Sequence, residues 1–299
     1  MLSAHAQDRK QSRDAETPRG KVARAGHTKK QNLWVYALLS LGLILVGAPF
    51  IWMLFGSVKT EAELTRIPPT WFPQAPTWDN YVKLFSLLNF PTYVVNSVLI
   101  TLAVTVLNLL FCSMLGYALA KLKFRGKHIL FLLVLGTLMV PGAVTLVPLF
   151  VLMSKLHLVN SLSAVILPEA AASMGVFLMR QFMMDIPDEL LDAGRVDGAS
   201  ELFIYSRLVL PLSGPALATL AILTFLSSWN DFLWPLIVLT SDQKYNLPVA
   251  LATFAVGQHT SDTGLLMAGA VIVVIPVIAV FLLLQRYFTQ GIVMTGLKG

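Results

Sequence analysis

The sequence predicts an all-α integral membrane protein with six transmembrane helices. Of its 299 residues, 56% are apolar and 13% are charged, against roughly 25% charged residues in an ordinary soluble domain. The apolar residues form runs long enough to cross a hydrocarbon core of about 30 Å. These runs are continuously apolar and do not alternate with a period of two, which favours helices over the strands of a membrane barrel. This composition excludes a typical water-soluble enzyme.

The first 93 residues contain one apolar run between two polar segments. Residues 1–32 are basic and lack apolar periodicity, so we expect a disordered cytoplasmic tail attracted to anionic lipid and not to nucleic acid. The run at residues 33–56 is longer than a signal-peptide core of about 7 to 15 residues, which predicts an uncleaved first transmembrane helix. Residues 57–93 are predicted to form an extracytoplasmic loop, because prolines oppose regular helix and tryptophans favour the membrane surface. These residues are Pro68, Pro69, Pro73, Pro76, Trp71 and Trp78.

Five further apolar runs lie within residues 94–287, and a tail of residues 288–299 follows them. Six spans place both termini on one side of the membrane. With the amino terminus in the cytoplasm, the inner segments contain 17 Lys and Arg residues and the outer segments five, or nine against five without the tail. This excess predicts that both termini are cytoplasmic. The five runs are residues 94–118, 129–153, 161–184, 212–239 and 265–287.

One cytoplasmic loop, residues 185–211, has six acidic residues and two arginines on an otherwise basic face of the protein. Pro187 suits a first helical turn, Gly198 suits a break, and Ser200 can cap a second helix. These signals predict two short helices with a bend between them, separated from the next span by Pro211. Such a hairpin can dock by its acidic residues into a basic cleft of a soluble partner, or it can be a solvated helix pair without a partner.

The spacing within this loop resembles the coupling motif of bacterial ABC importer permeases, which is Glu-Ala-Ala, three residues, Gly, nine residues and Ile-x-Leu-Pro. Asp192-Ala193-Gly194 occupies the first positions, Gly198 follows after three residues, and Leu208-Val209-Leu210-Pro211 follows after nine more. Asp in place of Glu and Gly in place of the second Ala are departures from the motif. Gly194 weakens the first helix by up to about 1 kcal/mol relative to Ala.

The resemblance continues through residues 177–182, 228–232 and 296–299, which are similar to the carbohydrate branch of this family and to its maltose-type subunit with six spans. It implies a type I ABC importer permease in the bacterial cytoplasmic membrane, paired with a second permease, two ATPase subunits and an extracytoplasmic solute-binding protein. It also implies that the tail residues Gly296, Leu297, Lys298 and Gly299 reach the ATPase pair. The implied ATPase-coupling residues are Glu189, Asp192, Ala193, Gly194, Asp197, Gly198, Leu208, Leu210 and Pro211.

The chain lacks the Gly-x-x-x-x-Gly-Lys-Ser/Thr loop that would bind the phosphates of ATP. ATP and Mg are therefore expected on a partner ATPase. We expect no cofactor and no catalytic activity in this chain.

Polar residues inside the predicted spans suggest a substrate path, because a charge within the membrane usually faces a cavity or the bundle interior. Glu169 and Asp231 each lie about 12 Å below the outer surface by the helical rise, so they are predicted to share one polar layer. Asn230 can bind hydroxyl groups, and Trp229 and Trp234 can stack on a sugar ring. Alternatively, the polar residues fasten helices together and the tryptophans pack.

Two other features have simpler interpretations. Asn96 and Asn108 are typical of polar contacts between helices. Pro141 and Pro168 predict kinks in the third and fourth spans.

The sequence favours a neutral sugar or oligosaccharide as substrate, because the spans offer mainly acidic residues. The alternative is a permease for glycerol 3-phosphate or a related polyol phosphodiester, which would favour cations along the path. A self-sufficient secondary transporter is a more distant alternative, since it would need no docking hairpin. A membrane-embedded enzyme is also distant, because the five histidines are scattered over tails, turns and loops.

Overall fold

The computed structural model of the chain describes residues 29–87, 89–256 and 262–296. Every regular element within these ranges is helical, which confirms the predicted all-α class. The chain divides into two units, residues 1–50 and residues 51–299. Helix α1 (Lys29–Ser57) begins in the first unit and ends in the second.

The second unit contains the remaining helices. Between α1 and the next long helix, α2 (Glu61–Leu64) and α3 (Asp79–Leu87) flank the proline-rich stretch, which is not helical, as predicted. The helices that follow are α4 (Phe90–Lys121), α5 (Lys127–Leu138), α6 (Gly142–Lys155), α7 (Leu162–Ile166), α8 (Ser173–Met184), α9 (Asp188–Val196) and α10 (Glu201–Ile204). A π-helical turn (Tyr205–Val209) leads to α11 (Leu210–Leu212), α12 (Gly214–Trp229) and α13 (Leu233–Val238). A 3-10 turn (Asp242–Lys244), α14 (Leu247–Val256) and α15 (Thr263–Gly296) complete the described chain.

Three of the described helical stretches are long and apolar enough to cross a membrane, namely Trp34–Ser57, Phe90–Lys121 and Thr263–Leu283. Two bent helix pairs raise the number to five if each pair counts as one span. The pair α5 and α6 is bent by 105°, and the pair formed by Glu201–Leu212 and α12 is bent by 78°. Six spans with cytoplasmic termini therefore stay a prediction.

The third, fourth and fifth predicted spans differ from continuous helices. Pro141 has an extended backbone and separates α5 from α6, because proline has no N–H to continue the preceding helix. Pro168 lies in the turn between α7 and α8, so both predicted kinks are present. The fifth run is divided between α12 and α13 by a break that contains Asp231.

Helix α4 is the central element of the second unit, because it contributes to three separate apolar clusters. Its first turn places Phe90 in a cluster with α3, α12, α14 and α15. Its middle places Ile100 and Val104 against α6, α7 and α13. Its last turns place Tyr117 and Leu119 against α8 and the loop at residues 185–211.

The crossing of α4 and α8 depends on small residues. A Cβ atom on Gly116 would lie 2.7 Å from the Cβ of Met179, and one on Gly175 would lie 2.8 Å from the Sγ of Cys112. Small residues of this kind let membrane helices approach closely. Asn108 adds a polar link by donating to the carbonyl of Glu169 at 2.7 Å. Asn96 donates to the carbonyls of Gln243 and Tyr245 at 3.0 Å each, so both asparagines make the contacts expected of them.

Candidate functional site

The loop at residues 185–211, hereafter the hairpin, folds as the two short helices that the sequence predicts. Pro187 precedes α9 with an extended backbone, and the acidic first turn of α9 suits the positive end of a helix dipole. Gly198 ends α9 at φ +79°, a conformation that favours glycine. The N–H of Gly198 donates to the carbonyl of Arg195 and that of Ala199 to Gly194, both at 3.0 Å. These two bonds form a Schellman motif, so the bend has a defined geometry.

The second half of the hairpin is one helical stretch with an irregular turn. The Oγ of Ser200 accepts from the N–H of Phe203 at 3.3 Å and caps α10 as predicted. The expectation that Pro211 separates this helix from the next span is wrong. Pro211 lies inside the helical stretch Glu201–Leu212, and the bend of 78° toward α12 follows at Ser213.

The inner face of the hairpin is apolar. Leu191, Ile204 and Val209 are buried in the cluster that includes Met179 and Met183 of α8. A Cβ atom on Gly194 would lie 3.3 Å from the Cγ1 of Ile204, which is closer than most Cβ contacts. Glycine at the second alanine position of the motif therefore lets the two helices of the hairpin pack closely.

Two polar clasps join the hairpin to the last turns of α4. In the first, the Nζ of Lys121 donates to the Oδ1 of Asp188 and to the carbonyl of Ile186, both at 2.6 Å. Through its hydrogen bond and its charge, Lys121 lowers the pKa of Asp188.

The second clasp is a chain of four groups. Arg195 pairs with Asp192 and with Glu201 at 2.8 Å each, and these hydrogen bonds raise the pKa of Arg195. The hydroxyl of Tyr117 on α4 donates to the other oxygen of Glu201 at 2.6 Å. The two clasps and the apolar inner face hold the hairpin against α4, so the hairpin and the end of α4 form one packed unit.

The outer face of the hairpin combines acidic and apolar side chains. Asp188, Asp192 and Glu201 are engaged in the clasps, whereas Glu189 and Asp197 are exposed and form no ion pair within the described part of the chain. Large apolar side chains stand beside them, with Val196 87% exposed and Leu202 67% exposed, and with Leu190 and Phe203 also exposed. Sequence reasoning identified the acidic residues and missed these apolar ones, since the burial of one leucine and the exposure of its neighbour depend on packing.

The remaining predicted coupling residues occupy different environments. Ala193 and Pro211 are exposed, whereas Leu208 and Leu210 are partly buried against the cluster beneath the hairpin. Gly296 is the last residue of α15. Leu297, Lys298 and Gly299 lie outside the described residues.

The predicted polar layer contains two carboxylates. Glu169 lies in the turn after α7 and Asp231 in the break after α12, and the charge of Glu169 acts on Asp231. Neither forms an ion pair within the described ranges. Asn230 is exposed beside them, and its side chain donates to the carbonyl of Leu226 at 2.8 Å.

The two tryptophans of the predicted path are packing residues in this chain. Trp229 is 2% exposed, stacks on Phe225 at 5.8 Å, and donates from Nε1 to the carbonyl of Val273 at 3.0 Å. Trp234 is 5% exposed and donates from Nε1 to the carbonyl of Ala164 at 3.0 Å. Their buried rings correct the expectation of sugar stacking and favour the alternative of helix packing.

Comparison with known proteins places this architecture in a family. Residues 112–294 match the family described as binding-protein-dependent transport system inner membrane component. The arabinooligosaccharides transport system permease protein AraQ of Halalkalibacterium halodurans is 42% identical over 269 residues, covering 88% of this chain and 96% of AraQ. The lactose transport system permease protein LacG of Rhizobium radiobacter is 34% identical over 256 residues, covering 86% of this chain and 93% of LacG.

One solved structure has a similar fold. A chain in the crystal structure of a bacterial ABC transporter involved in the import of the acidic polysaccharide alginate superposes with a TM-score of 0.79. The match covers 88% of this chain and 99% of that chain at 24% identity. The chain therefore belongs to the family of binding-protein-dependent transport system inner membrane components, as a non-catalytic permease subunit of an ABC transporter for sugar uptake.

Proposed function

We propose that this chain is one of two permeases in an importer that moves a sugar or oligosaccharide across the bacterial cytoplasmic membrane by alternating access. The observation that carries the proposal is the hairpin. It has the spacing of the coupling motif, it is clasped to α4, and it exposes a face of mixed acidic and apolar side chains. An apolar face with charged residues around it suits a cleft in a partner protein.

The proposed partner at the hairpin is one of two ATPase subunits, which bind ATP and Mg. Closure of the ATPase pair moves the hairpin, and the clasps and the apolar inner face pass that movement to α4. Nine residues of α4 separate Tyr117 at the clasp from Asn108, a distance of about 14 Å along the helix. Asn108 contacts the backbone of Glu169, so the hairpin and the polar layer are linked through a single rigid element.

The other partners follow from the family. Its description as binding-protein-dependent supports an extracytoplasmic solute-binding protein that delivers the sugar. We propose a second permease across the translocation path, six spans in this chain, and both termini in the cytoplasm. Residues 296–299 are proposed to contact the ATPase pair.

The proposed path passes Glu169, Asn230 and Asp231. A carboxylate can accept hydrogen bonds from two hydroxyl groups, and an amide can both donate and accept, which suits a neutral polyhydroxyl ligand. Two carboxylates that already repel each other disfavour an anion, so glycerol 3-phosphate or a related phosphodiester is the weaker candidate. Trp229 and Trp234 contribute by fixing α12 and α13 beside this layer.

The experiment that tests the proposal is purification of the tagged chain from its native host in mild detergent, followed by identification of the bound proteins and assay of ATP hydrolysis. We expect a second permease and an ATPase, with hydrolysis stimulated by the sugar-loaded binding protein. Recovery of this chain alone under several mild conditions, together with sugar uptake that needs no ATP, would support a self-sufficient transporter instead.

A further inference from the structure

A cavity of about 450 Å³ lies between the turn that follows α4, the start of α5 and Arg180 of α8. Its volume is in the range of about 300–1,000 Å³ that is common for small-ligand sites. Two phenylalanines and three basic residues line it, namely Phe124, Phe131, Lys127, His128 and Arg180. The coupling motif and the polar layer contain none of these residues.

The charges in this cavity are cationic and lack acidic partners. Within the described residues, neither Lys127 nor Arg180 forms an ion pair. The carboxylate of Asp188 acts on Lys127 from a distance, but Asp188 is paired with Lys121, whose positive charge also acts on Lys127. The cavity therefore keeps a positive charge that the protein itself does not neutralise.

Lys127 and Arg180 also have N–H donors that make no hydrogen bond in the described part of the chain. Lys127 uses two of its three N–H groups, on the carbonyls of Ala120 and Leu122 at 2.9 and 3.0 Å. Arg180 donates to the carbonyl of Leu119 at 3.2 Å and to the side chain of Gln181, while its guanidinium lies 3.7 Å from the centroid of the Phe131 ring. The remaining guanidinium donors can bind an anion with fixed geometry.

An apolar groove of about 320 Å³ adjoins the cavity and shares Phe124 with it. Leu115 and Leu119 of α4 form one wall, and Leu130 and Leu133 of α5 form the other. The groove lies between α4 and α5, which belong to apolar runs. The cavity lies where these two helices are joined, at their polar ends. The pair has the charge and polarity pattern of a phospholipid, with an anionic headgroup at one end and an acyl chain at the other.

We propose that the cavity binds the phosphate of an anionic phospholipid from the surrounding membrane, with one acyl chain in the groove between α4 and α5. The lipid supplies the negative charge that Lys127 and Arg180 lack. It also links α5 to the end of α4 beside the hairpin.

The test uses the complete transporter, delipidated in detergent and titrated with phosphatidylglycerol or with phosphatidylcholine of the same acyl chains. Native mass spectrometry counts the bound lipids. We expect the wild-type complex to prefer phosphatidylglycerol by at least about fivefold, which corresponds to the loss or gain of one basic contact at a membrane surface. Inorganic phosphate in excess should not displace the bound lipid, because it cannot occupy the groove.

His128→Glu is the decisive variant. His128 is exposed and makes no hydrogen bond within the described residues, so the change adds a carboxylate to the cavity without breaking a contact. The preference for phosphatidylglycerol should disappear in this variant and weaken in Lys127→Gln. Gln243→Glu is the matched control, since Gln243 is exposed and its backbone is bound near the start of α4, at the opposite end from the cavity.

Two results would overturn the proposal. One is an equal preference for phosphatidylglycerol in the wild type and in His128→Glu. The other is displacement of the lipid by inorganic phosphate, which would identify a site for a free anion.

Discussion

The hairpin and the polar layer are built in opposite ways. In the hairpin, Asp188, Asp192 and Glu201 are engaged in ion pairs, and large apolar side chains are left exposed. In the polar layer, the large apolar rings of Trp229 and Trp234 are buried, and two carboxylates lie close together without a cation in the described part of the chain. The hairpin therefore leaves large apolar side chains uncovered, and the polar layer leaves two carboxylates without an ion pair in the described part of the chain. This difference fits the proposed function, in which a protein surface completes the first region and a hydroxyl-rich ligand completes the second.

The largest expected effect comes from removing a ring that supports the polar layer. Trp229→Ala should destabilise the protein by about 3–5 kcal/mol, because it leaves a cavity and removes the hydrogen bond to the carbonyl of Val273. The thermal midpoint and the yield of assembled complex measure this loss. Trp78→Ala is the control, since Trp78 is 70% exposed in the outer segment. Normal assembly with reduced sugar uptake in Trp229→Ala would contradict the packing role and restore the stacking hypothesis.

A change on the outer face of the hairpin should act on the partner and not on the fold. Leu202→Asp places a charge on an exposed apolar contact, so we expect the ATPase to bind about tenfold more weakly, as for other central interface residues. Titration of the purified ATPase against the permease pair in detergent measures this affinity. Leu202→Met is the control, because it keeps the surface apolar. A permease pair with this change should bind the ATPase with normal affinity. Equal binding by both variants would show that the ATPase does not contact this face.

A change of charge in the polar layer should act on transport alone. Asp231→Asn keeps the size of the side chain but removes a charged acceptor, so we expect sugar uptake to fall about tenfold with normal assembly. Uptake of labelled sugar, normalised to the amount of complex in the membrane, measures the effect. Asp79→Asn, at an exposed position in the outer segment, is the control. Loss of assembly in Asp231→Asn would indicate that the carboxylate fastens helices.

The bend of the hairpin offers a smaller and more local test. Gly198→Val should lower the free energy of unfolding by about 1–2 kcal/mol, because a side chain is strained at φ +79°. The strain is in the backbone, since no atom lies within 4 Å of a Cβ placed at this position. Gly198→Asn should be tolerated better, since asparagine adopts this conformation more readily. The measured quantity is sugar imported per ATP hydrolysed. If this ratio falls equally in both variants, the outer surface at this position matters and not the backbone conformation.

The smallest effect is expected from one clasp. Because Lys121 lowers the pKa of Asp188, the ionised carboxylate stabilises the folded state above the ordinary pKa of aspartate, and this stabilisation is lost as the pH falls through the lowered value. Asp188→Asn should therefore lower the thermal midpoint slightly at neutral pH and not at strongly acidic pH. Glu189→Gln, which loses a helix-dipole interaction but no ion pair in the described residues, should change it less at neutral pH. If the thermal midpoints of Asp188→Asn and the wild type still differ at strongly acidic pH, the clasp does not depend on charge.

Local signals in the sequence predicted much of the hairpin. Pro187, Gly198 and Ser200 act on their own backbone or on neighbours a few residues away, so the two helices and the bend between them could be placed. The clasp between Lys121 and Asp188 joins residues 67 positions apart, and no periodic pattern marks such a pair. For the same reason, the exposure of Leu202 was not predicted, whereas the acidic character of the loop was.

The sequence by itself determined that the chain is helical and membrane-embedded, because long apolar runs leave the backbone no other way to satisfy its hydrogen bonds in lipid. It also determined the coupling spacing, which is a property of the order of residues alone. Only the tertiary structure decided which acidic residues pair within the hairpin, that Trp229 and Trp234 are buried, and that the fifth run is divided between α12 and α13. These outcomes depend on contacts between helices that are distant in the chain, and the free energy of such contacts is not encoded in any short segment.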